Sequence, residues 1–133
     1  MSLKNSFAAM LAFALPLIAL PAHSHNQLTA DELEEYFTDS TQHCRKEKDQ
    51  STCTTFFSAD GTIKRRMHED GARKEGTWNI DRESDELCIT WKGKDNALCF
   101  EAYMNKDNTV DMYRYGRHMS TVLTFFPGNA EGL

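Results

Sequence analysis

The side chains of this chain that first suggest chemistry are histidines and methionines, because both can bind copper. If the chain is cleaved before His25, that residue offers a free α-amine and an imidazole, a pair suited to Cu(II). Further soft or borderline ligands are Met104, Met112, His118 and Met119. Met104 and Met112 occupy apolar strand positions, where methionine commonly fills space in the core. His118 and Met119 are neighbours in a predicted strand and point to opposite faces. The sequence therefore predicts no metal or other cofactor, with periplasmic copper handling as an alternative.

Residues 1–24 have the pattern of a secretory signal peptide. A positively charged start is followed by an apolar run rich in alanine and leucine. The small residues Ala22 and Ser24 stand at the positions that a signal peptidase requires for a cut before His25. The apolar run is shorter than the about 20 residues of a membrane span. We expect cleavage before His25, or alternatively before His23, and a periplasmic or secreted protein with no membrane association after cleavage.

The remaining residues, 25–133, are enough for a single domain. Loss of Lys4 with the signal segment changes the formal net charge from −5 to −6. Such a chain has no basic excess to neutralise phosphates, so we predict no nucleic-acid partner. The acidity suits solubility, or alternatively a cationic partner.

The candidates for catalytic residues are three histidines with acidic side chains near them: His43, His68 and His118. The sequence contains none of the G-x-S-x-G, H-E-x-x-H or phosphate-loop patterns that such chemistry commonly uses. Histidines and serines outside these patterns are usually surface residues. We therefore predict no catalytic residues and a protein that is not an enzyme.

The four cysteines, Cys44, Cys53, Cys88 and Cys99, can pair in three ways. An even number of cysteines behind an export signal is typical of disulfides. The spacing favours Cys44–Cys53 and Cys88–Cys99, because each pair brackets a predicted turn. Neither pair has the spacing of a zinc knuckle, which makes a metal site the weaker alternative.

The clearest predicted hairpin joins residues 87–92 to residues 97–104. A two-residue turn at positions 93–94 places Cys88 opposite Cys99 on one face of the sheet. The same register gives the other face six apolar residues: Leu87, Ile89, Trp91, Leu98, Phe100 and Ala102. A slip of one residue would lose both features, so the disulfide and the core predict the same register.

The positions of the turns predict the remaining elements. Thr29 and Glu32 have the spacing of a capping box, which predicts a helix from Ala30 to about Phe37. The hydrophobic pattern then changes to a period of two. It predicts seven strands, over residues 52–58, 62–68, 75–81, 87–92, 97–104, 109–115 and 118–126. Strands that recur every 8–12 residues with turns between them indicate an all-β meander, sandwich or barrel.

Aromatic and basic side chains indicate what such a fold could bind. The chain holds many large aromatic residues for its size, among them Trp78 and Trp91, which we expect to be largely buried. Small barrels fill their interior with such side chains or hold one small ligand. Basic residues of the strands would form a binding patch for anions if the fold brought them together: Arg65, Arg66, Arg73, Lys74, Arg114 and Arg117. Solvated strand faces are the simpler interpretation of these charges.

Several short segments carry a resemblance to a known family. They are Leu28-Thr29, Ser58-Ala59-Asp60-Gly61-Thr62, Gly76-Thr77-Trp78, Leu87-Cys88-Ile89-Thr90-Trp91 with Cys99-Phe100, and Pro127-Gly128-Asn129-Ala130-Glu131-Gly132-Leu133. In these segments the chain resembles small exported bacterial proteins classed as a domain of unknown function with a lipocalin-like β-fold. The resemblance implies export and a β-rich fold, and it carries over no catalytic or binding residue. The chain departs from it in the pair Cys44 and Cys53, which flanks a charged insertion at residues 45–49.

These observations predict a mostly β, small antiparallel meander or barrel-like (lipocalin-like) domain with one N-terminal helix. The function that we expect is a non-enzymatic periplasmic or secreted binding module for a small ligand or an exported protein partner. Alternatives are copper handling and inhibition of a basic cell-wall hydrolase such as lysozyme, which small acidic exported β-barrels with disulfides can perform.

Overall fold

The computed structural model describes residues 27–133. The predicted signal segment, both predicted cleavage sites and His25 lie outside the described residues. Within residues 27–133, none of the helical structure reaches the length and apolarity of a membrane-crossing helix.

One helix, α1, covers Ala30–Phe37, as the capping box predicts. The Thr29 hydroxyl accepts a hydrogen bond from the Glu32 N–H, and the Glu32 carboxylate accepts one from the Thr29 N–H at 3.1 Å. Leu33 and Phe37 are fully buried, because residues four apart lie on the same face of a helix. This face packs into the apolar core at one end of the sheet.

Eight antiparallel strands follow the helix. They are β1 (Ser40–Lys46), β2 (Thr52–Phe57), β3 (Thr62–Met67), β4 (Arg73–Asp81), β5 (Glu86–Trp91), β6 (Leu98–Met104), β7 (Val110–Arg114) and β8 (Arg117–Pro127). Each strand pairs with the next, and β1 pairs with β8, so the sheet is a closed barrel in simple sequence order. The predicted fold class, a mostly β antiparallel barrel with one N-terminal helix, is confirmed.

Strand β1 is missing from the sequence-based prediction, which placed seven strands. Its sequence, S-T-Q-H-C-R-K, has no hydrophobic alternation, although Ser40, Thr41 and Gln42 are all buried. Burial of polar residues hides the period of two on which strand prediction depends. This strand completes the barrel, because it provides the second partner of both β2 and β8.

The central hairpin has the predicted register. Cys88 lies opposite Cys99, and their disulfide lies on the outer face of strands β5 and β6. Pairing begins at Ile89 and Leu98, so the connection is longer than the predicted two-residue turn. The second predicted disulfide, between Cys44 and Cys53, joins β1 to β2 on the inner face.

Both tryptophans were expected to be largely buried, and Trp78 is the more buried of the two. Trp78 lies in the core near the helix and donates a hydrogen bond from Nε1 to the Ser58 carbonyl at 2.9 Å. Trp91 packs against the core and keeps part of its surface exposed, because β5 ends at this residue and its ring lines an internal cavity. The prediction is confirmed for Trp78, whereas Trp91 is intermediate in burial.

Candidate ligand-binding site

A cavity of about 250 Å³ lies inside the barrel. Phe37 of helix α1 forms its floor at one end. Its wall is largely apolar and includes inward-facing residues of strands β2, β5, β6 and β8: Phe57, Leu87, Ile89, Leu98, Phe100 and Val122. Alternate residues of a strand face the same side, which brings these side chains together from distant parts of the sequence.

The cavity opens at the end of the barrel opposite the helix. We call this opening the mouth and define it by Lys46, Lys48, Lys74 and Met119, which line the outer part of the cavity. The Cys44–Cys53 disulfide lies just inside the mouth, with both cysteines at most 5% exposed. Through Cys44 this disulfide also contributes to the cavity wall.

A row of polar side chains crosses the interior between the mouth and the apolar floor. The strand register places Gln42 of β1 beside Thr55 of β2, Thr55 beside Arg65 of β3, and Arg65 beside Lys74 of β4. Directly paired residues share a face of the sheet, so an amide, a hydroxyl, a guanidinium and an ammonium group follow one another around the inner wall.

Arg65 is the cation deepest in this row. Its Nε donates a hydrogen bond to the Thr55 hydroxyl at 2.9 Å, and its guanidinium carbon lies 5.0 Å from the centre of the Trp91 ring. Desolvation inside the barrel lowers the pKa of Arg65 to about 10, so the side chain remains charged at neutral pH. No carboxylate of residues 27–133 forms an ion pair with it.

Lys74 extends the positive charge towards the mouth. Its Nζ also lies 5.0 Å from the centre of the Trp91 ring. Desolvation is the main cause that lowers the pKa of Lys74, and repulsion from Lys46, Arg65 and Lys94 adds to it. Within the described part of the chain, these four cations make no ion pair with an acidic residue.

Gln42 adds an uncharged donor to the same row. The side chain is 2% exposed and lines the cavity. Its Nε2 is buried and has no hydrogen-bond partner among residues 27–133. Buried amide groups in folded proteins nearly always have a partner, so the unpartnered Nε2 is unusual.

The six basic residues that the sequence suggested as one possible patch do not lie together on one face of the sheet. Arg65 and Lys74 face the interior, whereas Arg66 and Arg73, their direct sequence neighbours, pair on the outer face. Arg66 forms an ion pair with Glu131 at 2.8 Å. Arg114 and Arg117 pair with each other at the turn between β7 and β8. Two of the six residues therefore belong to the cavity.

The residues predicted as possible copper ligands are not gathered by the described fold. Met112 and Met119 line the cavity, while His118 faces outward and stacks on Tyr113 with ring centres 5.1 Å apart. Met104 packs against the core, and His25 lies outside the described residues. Among residues 27–133 there is no group of three His, Cys, Asp or Glu side chains placed to hold a metal ion.

Of the other two histidines, His43 holds the C-terminal segment on the outside of the barrel, and His68 lies beside His43. His43 Nε2 of β1 lies 2.5 Å from the Glu131 carboxylate, which also accepts a 3.4 Å hydrogen bond from Thr54 of β2. Together with the Arg66 ion pair, these contacts bind Glu131 to three adjacent strands. His68 bonds to the Thr54 hydroxyl at 2.7 Å, but Thr54 is fully buried and its hydroxyl is out of reach of a substrate.

Sequence reasoning found Arg65 and Lys74 but missed Gln42, Lys46 and Lys48, because it missed strand β1. The predicted disulfide carries the information that would have located them. If Cys44 lies opposite Cys53, residue 44 belongs to a strand, and alternation puts Gln42 and Lys46 on the same face as Cys44.

No protein-family model, curated protein or solved structure matches this chain. Its function is therefore inferred from the cavity and from the chemistry of the groups that line it.

Proposed function

We propose that this protein is an exported, non-enzymatic binding protein that holds one small, largely apolar molecule inside its barrel. The observation that carries the proposal is the cavity of about 250 Å³, which has an apolar wall and an open mouth. Small-molecule sites are typically concave, mostly apolar and supplied with a few polar groups that orient the ligand. The two disulfides support export, since such bonds persist in oxidising compartments.

The volume limits the size of the ligand. Sites for drug-sized molecules have volumes of roughly 300–1,000 Å³, and this cavity is slightly smaller. One water molecule takes up about 30 Å³ of the liquid, so the cavity has room for about eight water-sized groups. A hydrocarbon body of about eight carbons would therefore fill the space, with any longer part reaching through the mouth.

The test is native mass spectrometry of the protein purified from the exported fraction without organic solvent. We expect a retained small molecule, or stoichiometric uptake of an eight-carbon probe such as octanoate, octyl phosphate or 1-octanol. Bound ligand should also raise the melting temperature in proportion to its concentration and affinity. A protein that is free of ligand after purification and takes up none of these probes would contradict the proposal.

A pair of variants on strand β8 tests whether the ligand lies in the barrel. Ser120 lines the cavity, so Ser120→Phe should fill the space and abolish binding while the barrel stays folded. Thr124 is exposed on the same strand, and Thr124→Phe should bind as the native protein does. Equal binding by both variants would move the ligand out of the barrel.

The hydrolase-inhibitor hypothesis is tested on the same protein by gel filtration with lysozyme at low and high salt. Comigration that salt abolishes would favour an electrostatic protein complex over a small-molecule carrier. The positive mouth does not favour a basic partner at that end of the barrel, because like charges would face each other.

A further inference from the structure

The charge of Arg65 is not balanced by the described protein. A guanidinium group in a partly desolvated site loses hydration, and a counter-charge or hydrogen bonds can compensate for that loss. Thr55 accepts one hydrogen bond, and residues 27–133 supply no other acceptor and no carboxylate partner. This is unexpected in a chain with 20 acidic and 15 basic residues, where carboxylates are abundant.

The remaining donors of Arg65 suit an anion of defined shape. Nε is held by Thr55, and the Trp91 ring lies beside the guanidinium group, so the orientation of the side chain is fixed before a ligand arrives. The planar guanidinium presents parallel N–H groups that match the two oxygens of a carboxylate or phosphate. Binding would then require little reorganisation, which favours affinity.

Gln42 adds a polar side chain to the same wall. It lines the cavity one strand beyond Thr55, and its buried Nε2 has no hydrogen-bond partner among residues 27–133. Adjacent strands are about 4.8 Å apart, so the backbones at Gln42 and Arg65 lie about 10 Å apart along the wall. Gln42 therefore makes the wall beside Arg65 more polar, while Arg65 is the group that a ligand would meet.

The lysines of the mouth extend the preference for an anionic ligand from the cavity towards solvent. Lys46 and Lys74 make no ion pair within the described barrel, and their mutual repulsion contributes to the lowered pKa of Lys74. Unpaired charge of one sign around a low-dielectric opening concentrates ligands of the opposite sign and raises their association rate. An overall acidic protein therefore presents a positive opening to its cavity.

We propose that the natural ligand is an amphipathic anion, with a carboxylate or phosphate head group bound by Arg65 and an apolar body of about eight carbons between the head group and Phe37. This inference rests on the proposed function, since it needs the ligand to lie inside the barrel. The lysines of the mouth attract the ligand, whereas Arg65 selects its head group.

The experiment compares ligands of one chain length and different charge by isothermal titration. Octanoate and octyl phosphate should each bind at least about tenfold more tightly than 1-octanol, because charge-assisted hydrogen bonds to a partly desolvated cation add to the shared apolar contact. Octylamine should bind more weakly than 1-octanol. Added salt should lower the association rate of the two anions and leave that of the alcohol unchanged.

Variants of strand β3 distinguish binding at Arg65 from a general attraction of anions by positive charge. Arg65→Met keeps the apolar stem and should weaken octanoate binding about tenfold or more, with little effect on 1-octanol. Lys64→Met makes the same change in net charge on the outer face of the strand and should leave both affinities nearly unchanged. If Arg65→Met does not fold, Lys74→Met replaces it, with Arg73→Met as its matched control.

The outcomes distinguish the two proposals. If 1-octanol binds as tightly as the anions and Arg65→Met has no effect on octanoate binding, the proposal of an anionic head group is wrong. The barrel would still bind an apolar ligand. If none of the probes binds to the native protein, the proposed function itself is wrong. Restoration of octanoate binding by Arg65→Lys, relative to Arg65→Met, would further support a role of the charge.

Discussion

Trp91 links the core of this protein to its cavity. One side of the residue packs against the core, and the ring lies 5.0 Å from both Arg65 and Lys74. Cations on an indole face stabilise the ring and are themselves held in place. A single side chain thus positions the charges that would meet a ligand, which explains why the residue is only partly buried.

Tryptophan fluorescence should report ligand binding through Trp91 alone. A ligand in the cavity replaces water next to the Trp91 ring and changes the position of the nearby cations, whereas Trp78 lies in the core near the helix. The native protein and Trp78→Phe should both change emission on addition of octanoate, and Trp91→Phe should not. A response that depends on Trp78 and not on Trp91 would contradict a head group beside Arg65.

At Gly76, strand β4 lies so close to the neighbouring strand β5 that a side chain has no room. A Cβ at this position would lie 2.2 Å from the Thr90 carbonyl oxygen and 2.9 Å from Trp91 Cα, both backbone atoms that cannot move independently of the sheet. We expect Gly76→Ala to lower the free energy of unfolding by about 1–3 kcal/mol. The exposed neighbour Thr77 is the control, and Thr77→Ala should change it by about 0.5 kcal/mol or less. Urea unfolding of the two variants measures the difference, and equal stabilities would contradict the close approach.

For single residues, the sequence predicts which face of a strand a side chain occupies but not which partner it has. The alternation of strand β3 places Arg65 on the same face as Ile63, and so inside the barrel. Residue type does not distinguish Arg65 from its neighbour Arg66, because arginine is ordinarily a surface residue. The acid partner of Arg66 lies 65 residues further along the chain, and only the fold shows that one arginine is paired and the other is not.

The elements differ in how clearly the sequence specifies them. Helix α1 has a capping box and an amphipathic pattern, and its boundaries were predicted correctly. The central hairpin was specified twice, by its cysteines and by its apolar face. Strand β1 lacks an apolar face, because it buries polar residues against the cavity and against the C-terminal segment, and only its cysteine could have located it.

The two disulfides lie on opposite faces of the sheet and should differ in their effect on binding. Each closes a short ring and stabilises the fold by about 2–3 kcal/mol in the chain-entropy model. Replacing Cys88 and Cys99 by serine should lower stability without changing affinity, because their bond lies outside the barrel. Replacing Cys44 and Cys53 should lower stability and also weaken octanoate binding, because their bond lies beside the mouth.

Denaturant unfolding and isothermal titration of the two double variants measure both effects. Equal loss of affinity in the two variants would show that binding follows stability alone. Peptide mapping of the native protein should recover Cys44 linked to Cys53 and Cys88 linked to Cys99. Any other pairing would contradict the register of the barrel.

A titratable contact holds the C-terminal segment of the molecule against the barrel. His43 and then Arg66 stabilise the charged form of Glu131 and lower its pKa from 4.5. A carboxyl group with a lower pKa in the folded than in the unfolded chain stabilises the fold above the unfolded value, and this contribution disappears as pH falls through the folded value.

Glu131→Gln should therefore destabilise the protein near neutral pH and have a smaller effect well below pH 4.5. Urea unfolding at the two pH values measures the difference, with Glu83→Gln as the control, since Glu83 is exposed in a turn. An effect of Glu131→Gln that is the same at both pH values would mean that its charge does not hold the C-terminal segment in place.

Export is the remaining property of the whole molecule that experiment must establish. The signal peptide pattern predicts that N-terminal sequencing of protein from the periplasm or culture medium starts at His25, or alternatively at His23. Protein that retains Met1 would contradict export. The two disulfides would then need another explanation, because the cytosol normally keeps cysteine side chains reduced.

The closure of the sheet by β1 and β8 also determines how this protein meets other chains. A sheet with an edge exposes unpaired N–H and C=O groups, onto which a foreign strand can add. Each of the eight strands described here has a hydrogen-bonded neighbour on both sides, so the barrel offers no such template. It should therefore resist strand-mediated aggregation in a crowded compartment where many proteins fold. A protein that binds to the wall of the barrel must recognise mainly its side chains, because most backbone hydrogen-bonding groups of the strands are already paired.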